Sequence, residues 1–292
     1  MDLSSDDYPQ TGFATLRFER TEPHLISASH EPFFTFGRVP TLLSDHPLSP
    51  GLDSAIEKGP WHYGADYITV YFRAPKDKLR GLVPSPFAVD DGTCMAYVCE
   101  IVSVGDGASA MVHTRPDRTL YNEAAVGIRV EFGGKKGVFF PVMWVTTEWS
   151  LLRGLLNGYQ KRLADRISMT KLHQLNPGLE PVGAGSEFGG FCVKGPETTL
   201  AVTATVRSRA EPSALPSFGV TYGLRNYPST GPNQSGVREP VEVLKSNSRV
   251  SDVWVGAGTV RTTLDVGEVE PTSAAVYKSG FTISGSKALL PK

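Results

Sequence analysis

Cysteine is scarce in this 292-residue chain, which has only Cys94, Cys99 and Cys192. An odd count without C-x-x-C spacing excludes a fully paired disulfide framework and a thiolate zinc site, and it fits a reducing, cytoplasmic compartment. The three thiols are expected as small buried groups. Long hydrophobic runs are also missing. The longest nearly apolar stretch, Gly137 to Val145, contains Pro141 and is far short of the ~20 residues that span a membrane. The first residues, Met1-Asp-Leu-Ser-Ser-Asp-Asp7, are acidic and lack an apolar run, so they read as neither a secretory signal nor a transit peptide. No sign of charge dominates. Lys+Arg number 29 against 30 Asp+Glu, for a net charge of −1, which argues against a nucleic acid or an anionic membrane as partner. Among catalytic signatures, the G-x-S-x-G elbow, the Walker loop and H-E-x-x-H are absent. The six histidines show no metal-ligand spacing. Gly183-Ala-Gly-Ser-Glu-Phe188 puts Phe188 where a dinucleotide fingerprint needs its third glycine, so it reads as a loop.

What the chain does have is glycine (30) and proline (22), both above their usual shares of about 7% and about 5%. That excess predicts many turns and short strands. Residues 1–60 carry scattered prolines and no periodic run, and they read as an extension that wraps the surface or neighbouring subunits. From Trp61 onward the texture is β. Tyr67–Arg73, Cys94–Val102 and Ala124–Phe132 are rich in β-branched and aromatic residues, and Gly133-Gly-Lys-Lys-Gly137 reads as a hairpin connection into Val138–Val145. Further strands are expected at Leu200–Val206, Val250–Val255 and Gly258–Leu264. One helix interrupts them. Thr146 or Thr147 can cap it through a hydroxyl, Glu148 suits its dipole, and Trp149, Leu152 and Leu156 form an apolar stripe. Asn157-Gly158 supplies the stop. The pattern predicts a largely antiparallel α+β domain over 61–292.

The lysine-arginine pair Lys161-Arg162 follows that stop. On an unbroken helix Lys161 would stand roughly opposite the apolar stripe and face water, the usual fate of such pairs. A stop at Gly158 resets the geometry and lets the lysine enter a cavity. Desolvation and a neighbouring cation both disfavour an ammonium ion there, and a free amine attacks ketones.

The stretch Gly137-Val-Phe-Phe-Pro-Val-Met-Trp-Val145, continued by Trp149-Ser-Leu-Leu-Arg-Gly-Leu-Leu-Asn-Gly-Tyr-Gln-Lys-Arg-Leu-Ala164, resembles the acetoacetate decarboxylase family. There a strand precedes a helix and then a Gly/Ala-Tyr/Phe-Pro-Lys-Lys-Leu motif. Asp66-Tyr-Ile-Thr-Val-Tyr-Phe-Arg73, Leu82-Val-Pro-Ser-Pro-Phe87, Val250-Ser-Asp-Val-Trp254 and Gly258-Thr-Val-Arg261 extend the likeness to about 61–292. The resemblance implies a double-layered β cone or barrel in which one main helix leads to the lysine. It makes Lys161 the Schiff-base lysine and Arg162 the cation beside it, an activation known for this family. It also maps the two active-site carboxylates onto Glu100 and Glu123, where they orient substrate and move protons. There are departures. The motif proline is Gln160, the second lysine is Arg162, Gly-Arg-Glu reads Arg153-Gly154-Leu155, and the family's active-site arginine falls near Ala65. These bear on decarboxylation more than on imine formation.

The expected function is therefore a Schiff-base lyase acting on a β-keto acid, with no metal or organic cofactor and with a homo-oligomeric assembly. One alternative uses the same imine for aldol, dehydratase or cyclase chemistry on a larger ketone, in secondary metabolism. Another is a non-catalytic binder of apolar small molecules.

Overall fold

The β texture becomes eleven strands in a computed structural model that describes residues 56–173 and 175–289. The expected extension therefore lies outside the described residues except for 56–60. The strands are β1 (Trp61–Arg73), β2 (Ala88–Gly105), β3 (Leu120–Phe132), β4 (Lys135–Val145), β5 (Lys161–Leu163), β6 (Arg166–Met169), β7 (Glu187–Lys194), β8 (Glu197–Arg209), β9 (Val220–Tyr227), β10 (Val237–Thr262) and β11 (Glu270–Ala288). Their pairing runs β11-β1-β2-β3-β4-β9-β10, and β10 also pairs with β11, so the circuit closes into a ring. From β10 the sheet continues through β8 and β7 to β6. All pairs are antiparallel except β4–β9 and β4–β5.

Two buried faces follow from the period-2 alternation of strands. On β2, Ala96 and Val98 face outward and pack with Ile68, Val126, Val202 and Ala204 between the ring and the second layer. Each valine or isoleucine among them contributes about 1.5–3 kcal/mol by leaving water. Tyr97, Cys99 and Ile101 face inward, with Tyr67, Tyr121 and Phe140. All three cysteines are free and buried, as expected.

The expected strands at 250–255 and 258–264 are parts of a single strand. β10 is 26 residues long and bends where its register slips. Asn247 (φ 52°) and Asp252 (φ 51°) take the left-handed conformation in that segment, which Asn and Asp tolerate best among non-glycine residues. The bend carries β10 from the ring into the second layer, where Gly256–Thr262 pairs with β8.

The helix forms over Glu148–Leu156 and stops where expected: Gly158 has φ 86°, and the Tyr159 amide returns to the Gly154 carbonyl at 3.0 Å. Two details differ. Thr147 occupies the N-cap, but its hydroxyl makes no cap bond, and the Thr146 hydroxyl is drawn off to Asn122 of β3. The buried face is Trp149, Ser150, Arg153 and Gly154, whereas Leu156 is exposed. The polar stripe wins because that face closes the ring's interior, and Leu156 lies on its outer side.

Candidate active site

One row of the sheet sets the floor of the site. Tyr277, Tyr67, Cys99, Glu123 and Val145 are successive cross-strand partners on β11, β1, β2, β3 and β4. Two residues back along β4, Met143 pairs with Lys161 of β5, so the inward phase of the ring also directs Lys161 inward. Its amine donates to Glu123 Oε2 at 2.8 Å and to Ser150 Oγ at 3.0 Å. It also lies 5.3 Å from the centre of the Tyr121 ring. Both side chains of the pair are nearly sealed from solvent, at 7% and 5% exposure. Tyr97 donates its hydroxyl to Glu123 Oε1 at 2.7 Å, so each carboxylate oxygen has a donor. Burial, with Glu123 beside it, pushes the Tyr97 phenol well above its ordinary range. It remains a proton donor at neutral pH.

The lysine's aliphatic stem crosses the helix at Gly154. A β-carbon there would lie 2.6 Å from Lys161 Cε and 2.7 Å from Cγ, and closer still to Cδ. No other residue type leaves that path open.

Arg153, one position earlier, is 2% exposed and sits 4.6 Å from the Trp149 ring. It donates to Ser103 Oγ at 3.0 Å and to Glu57, while its Nε has no acceptor. Burial alone would raise the Glu57 carboxyl, but Arg153 and Arg118 outweigh it and hold the group below its ordinary value of 4.5. A depressed carboxyl contributes stability above that value, and the contribution is lost as pH falls through the folded pKa. Glu57→Gln would leave the Arg153 charge buried without its counter-ion. Thermal unfolding should then show a loss of about 3 kcal/mol, and an unchanged melting temperature would refute this role for the pair.

These groups surround a cavity of about 350 Å³. Seven of the chain's ten tyrosines line it. Burial raises their phenols, Tyr63 and Tyr277 to about 12, so the tyrosines present uncharged hydroxyl groups at neutral pH. Lys245 of β10 also enters the lining. Its side chain lines the cavity but is exposed to solvent. Desolvation by the cavity walls lowers its ammonium to about 8, with Glu123 opposing the shift and Lys161 adding to it.

Of the four residues expected at the site, the structure brings Lys161 and Glu123 together and leaves Glu100 and Arg162 outside. Strand alternation is the reason in both cases. Lys161 faces in, so Arg162 on the three-residue β5 faces out, is exposed, and pairs in register with outward-facing Trp144. Cys99 faces in, so Glu100 joins an outer row where Lys171 donates to it at 2.6 Å and its side chain is 43% exposed. The cations that share the cavity lining with Lys161 are Arg153 and Lys245. Arg153, Gly154 and Lys245 were not anticipated as site residues. The signal for the first two was a cation and a poor helix former side by side in an apolar helix. Lys245 carried no signal, because a strand lysine is ordinarily solvated. Among the described residues no group of three His, Cys, Asp or Glu side chains is arranged to hold a metal, and no helix is long and apolar enough to cross a membrane.

Residues 45–285 match the family described as acetoacetate decarboxylase (ADC). The chain belongs to the acetoacetate decarboxylase family. Acetoacetate decarboxylase of Clostridium acetobutylicum is 26% identical over 117 residues, a match that spans 39% of this chain and 43% of that relative. A solved acetoacetate decarboxylase-like enzyme from Sphingomonas wittichii RW1 is 34% identical, with a TM-score of 0.78 over 85% of this chain and 98% of its own. The enduracididine biosynthesis enzyme MppR, solved with the condensation product of pyruvate and imidazole 4-carboxaldehyde, shares the fold. Its TM-score is 0.73 at 22% identity, over 83% of this chain and 94% of that one. The double-layered, mostly β architecture expected from the resemblance is thus the family's fold.

Proposed function

We propose that this protein is a Schiff-base lyase that decarboxylates a β-keto acid through Lys161. The observation that carries the reading is the Lys161 amine, walled into the cavity and held 2.8 Å from Glu123; the motif resemblance gives this residue the lysine's role. The ammonium proton passes along that contact to the carboxylate. The free amine then adds to the ketone, and loss of water gives an iminium ion. The bond to the carboxyl carbon breaks, its electron pair moves toward the iminium nitrogen as carbon dioxide leaves, and an enamine remains. Protonation at carbon and hydrolysis release the ketone and restore the amine. Glu123 lies beside the nitrogen throughout and can carry the proton in both directions. Tyr97, bonded to the other carboxylate oxygen, holds the carboxylate in place.

A second reading keeps the imine but uses its enamine for aldol or dehydratase chemistry on a larger partner. Supporting it are the cavity volume of about 350 Å³, within the range that takes drug-sized ligands, and the MppR relative with its bound condensation product.

The test is reductive trapping. Incubation with acetoacetate or 2,4-pentanedione plus borohydride at pH 7 should leave one covalent mass increase, on the peptide containing Lys161. An adduct on Lys245, an even spread over surface lysines, or none at all would overturn the assignment. In the last case an apolar binding protein is the better description. Carbon dioxide release from acetoacetate against retention of all carbons then separates the two imine reactions.

A further inference from the structure

The charges inside the ring do not balance. Lys161 is paired with Glu123, and Arg153 shares Glu57 with Arg118. Lys245 has no carboxylate: among the described residues its only polar or aromatic contact is with the Phe281 ring, 4.9 Å from the amine. With a pKa of about 8 it is still roughly nine-tenths charged at pH 7. Arg153 Nε also lacks an acceptor, and its carboxylate Glu57 is shared with Arg118, but Arg153 is nearly sealed at 2% exposure, whereas the Lys245 side chain is open to a ligand. A cation without a counter-ion on the wall that also holds Lys161 favours an anionic ligand, because a charge-assisted contact is roughly twice as strong as a neutral one.

We propose that Lys245 is the specificity-determining anchor for a carboxylate that the substrate keeps throughout the reaction, which makes the substrate an acid-bearing ketone. This rests on the imine reading for the orientation of the ketone toward Lys161, but not for the ion pair itself. The anchored group cannot be the one that leaves. An ion pair to a departing carboxylate is strongest in the ground state and weakens as its charge flows to the iminium nitrogen, so it would slow the step. A decarboxylated substrate would therefore carry a second acidic group. A substrate with one carboxylate would retain it and use the enamine for condensation.

The experiment compares 4-oxopentanoate with its methyl ester, which have the same ketone and skeleton and differ in charge. Borohydride trapping as a function of concentration should show the wild type favouring the acid. Lys245→Gln should reduce the acid-to-ester preference by about tenfold to a hundredfold, and Lys245→Arg should restore most of it, which a merely structural role would not do. An unchanged preference in Lys245→Gln, or an equal loss for acid and ester, overturns the proposal. Calorimetric binding of pentanoate against pentanamide, which contain no ketone, repeats the comparison without an imine. If trapping fails everywhere but pentanoate binds better and Lys245→Gln removes that advantage, the anchor stands and the Schiff-base reading falls. If both probes bind alike in the wild type, the anchor falls.

Discussion

Gly154→Ala should cut imine trapping at Lys161 by about a hundredfold while leaving the protein folded and its helix slightly more stable. The two effects have opposite signs because they arise at different atoms. In the middle of the Glu148–Leu156 helix, alanine is preferred over glycine by roughly 0.5–1 kcal/mol. The new methyl group, however, would occupy the path of the Lys161 stem, within 2.7 Å of Cγ and Cε. A flexible side chain relieves such a clash by swinging away, so the fold survives. The amine then leaves Glu123 and Ser150, both of which it now reaches within 3.0 Å. Displacement of a reacting group by about 1 Å is enough for a loss of about 10²-fold. The measurements are borohydride labelling rate and melting temperature on the same sample. Full labelling with a raised melting temperature would show that the stem has another route to the cavity, and a collapsed melting temperature would show that Gly154 serves packing.

The alternation of β strands explains most of what the sequence revealed and what it hid. The β-rich runs, the helix and its stop at Gly158 were legible because each depends on local preference: branched and aromatic residues, helical spacing, a residue free to take positive φ. Lys161 was legible through its motif. The facing of its neighbours was not, because it depends on β5 being a strand. Once Lys161–Leu163 pairs with β4, adjacent residues point to opposite sides, and Arg162 cannot share the lysine's cavity. The same holds for Glu100 beside Cys99. The partner that does share it, Lys245, lies 84 positions along the chain and is brought there by ring closure between β10 and β11. No spacing rule reaches across such a distance. Arg153 and Glu57 are a similar case: a helix residue meets one near the edge of the described chain, and only the fold makes them a pair.

Glu123→Gln separates the two roles the geometry gives this carboxylate. The amide keeps the shape and its oxygen can still accept from Tyr97, but its NH2 then faces the ammonium, so Lys161 is held by its bond to Ser150 alone. It cannot take the ammonium proton, nor return one to the enamine carbon. Loss of a positioned acid–base group costs typically 10²–10⁴-fold, and turnover of a β-keto acid, measured as carbon dioxide release, should fall within that range. Trapping should respond differently. Over minutes, buffer can remove the ammonium proton, so borohydride should still yield the Lys161 adduct, at a slower rate but to a similar end point. Buried side chains at 5% and 7% exposure also make the substitution costly in stability, because the lysine charge is left without its counter-ion. The folded fraction must therefore be measured alongside. A folded Glu123→Gln protein that turns over at the wild-type rate would remove Glu123 from the chemistry and leave it as a counter-ion alone. One that cannot be trapped at all would mean the carboxylate is needed to form the imine as well as to use it.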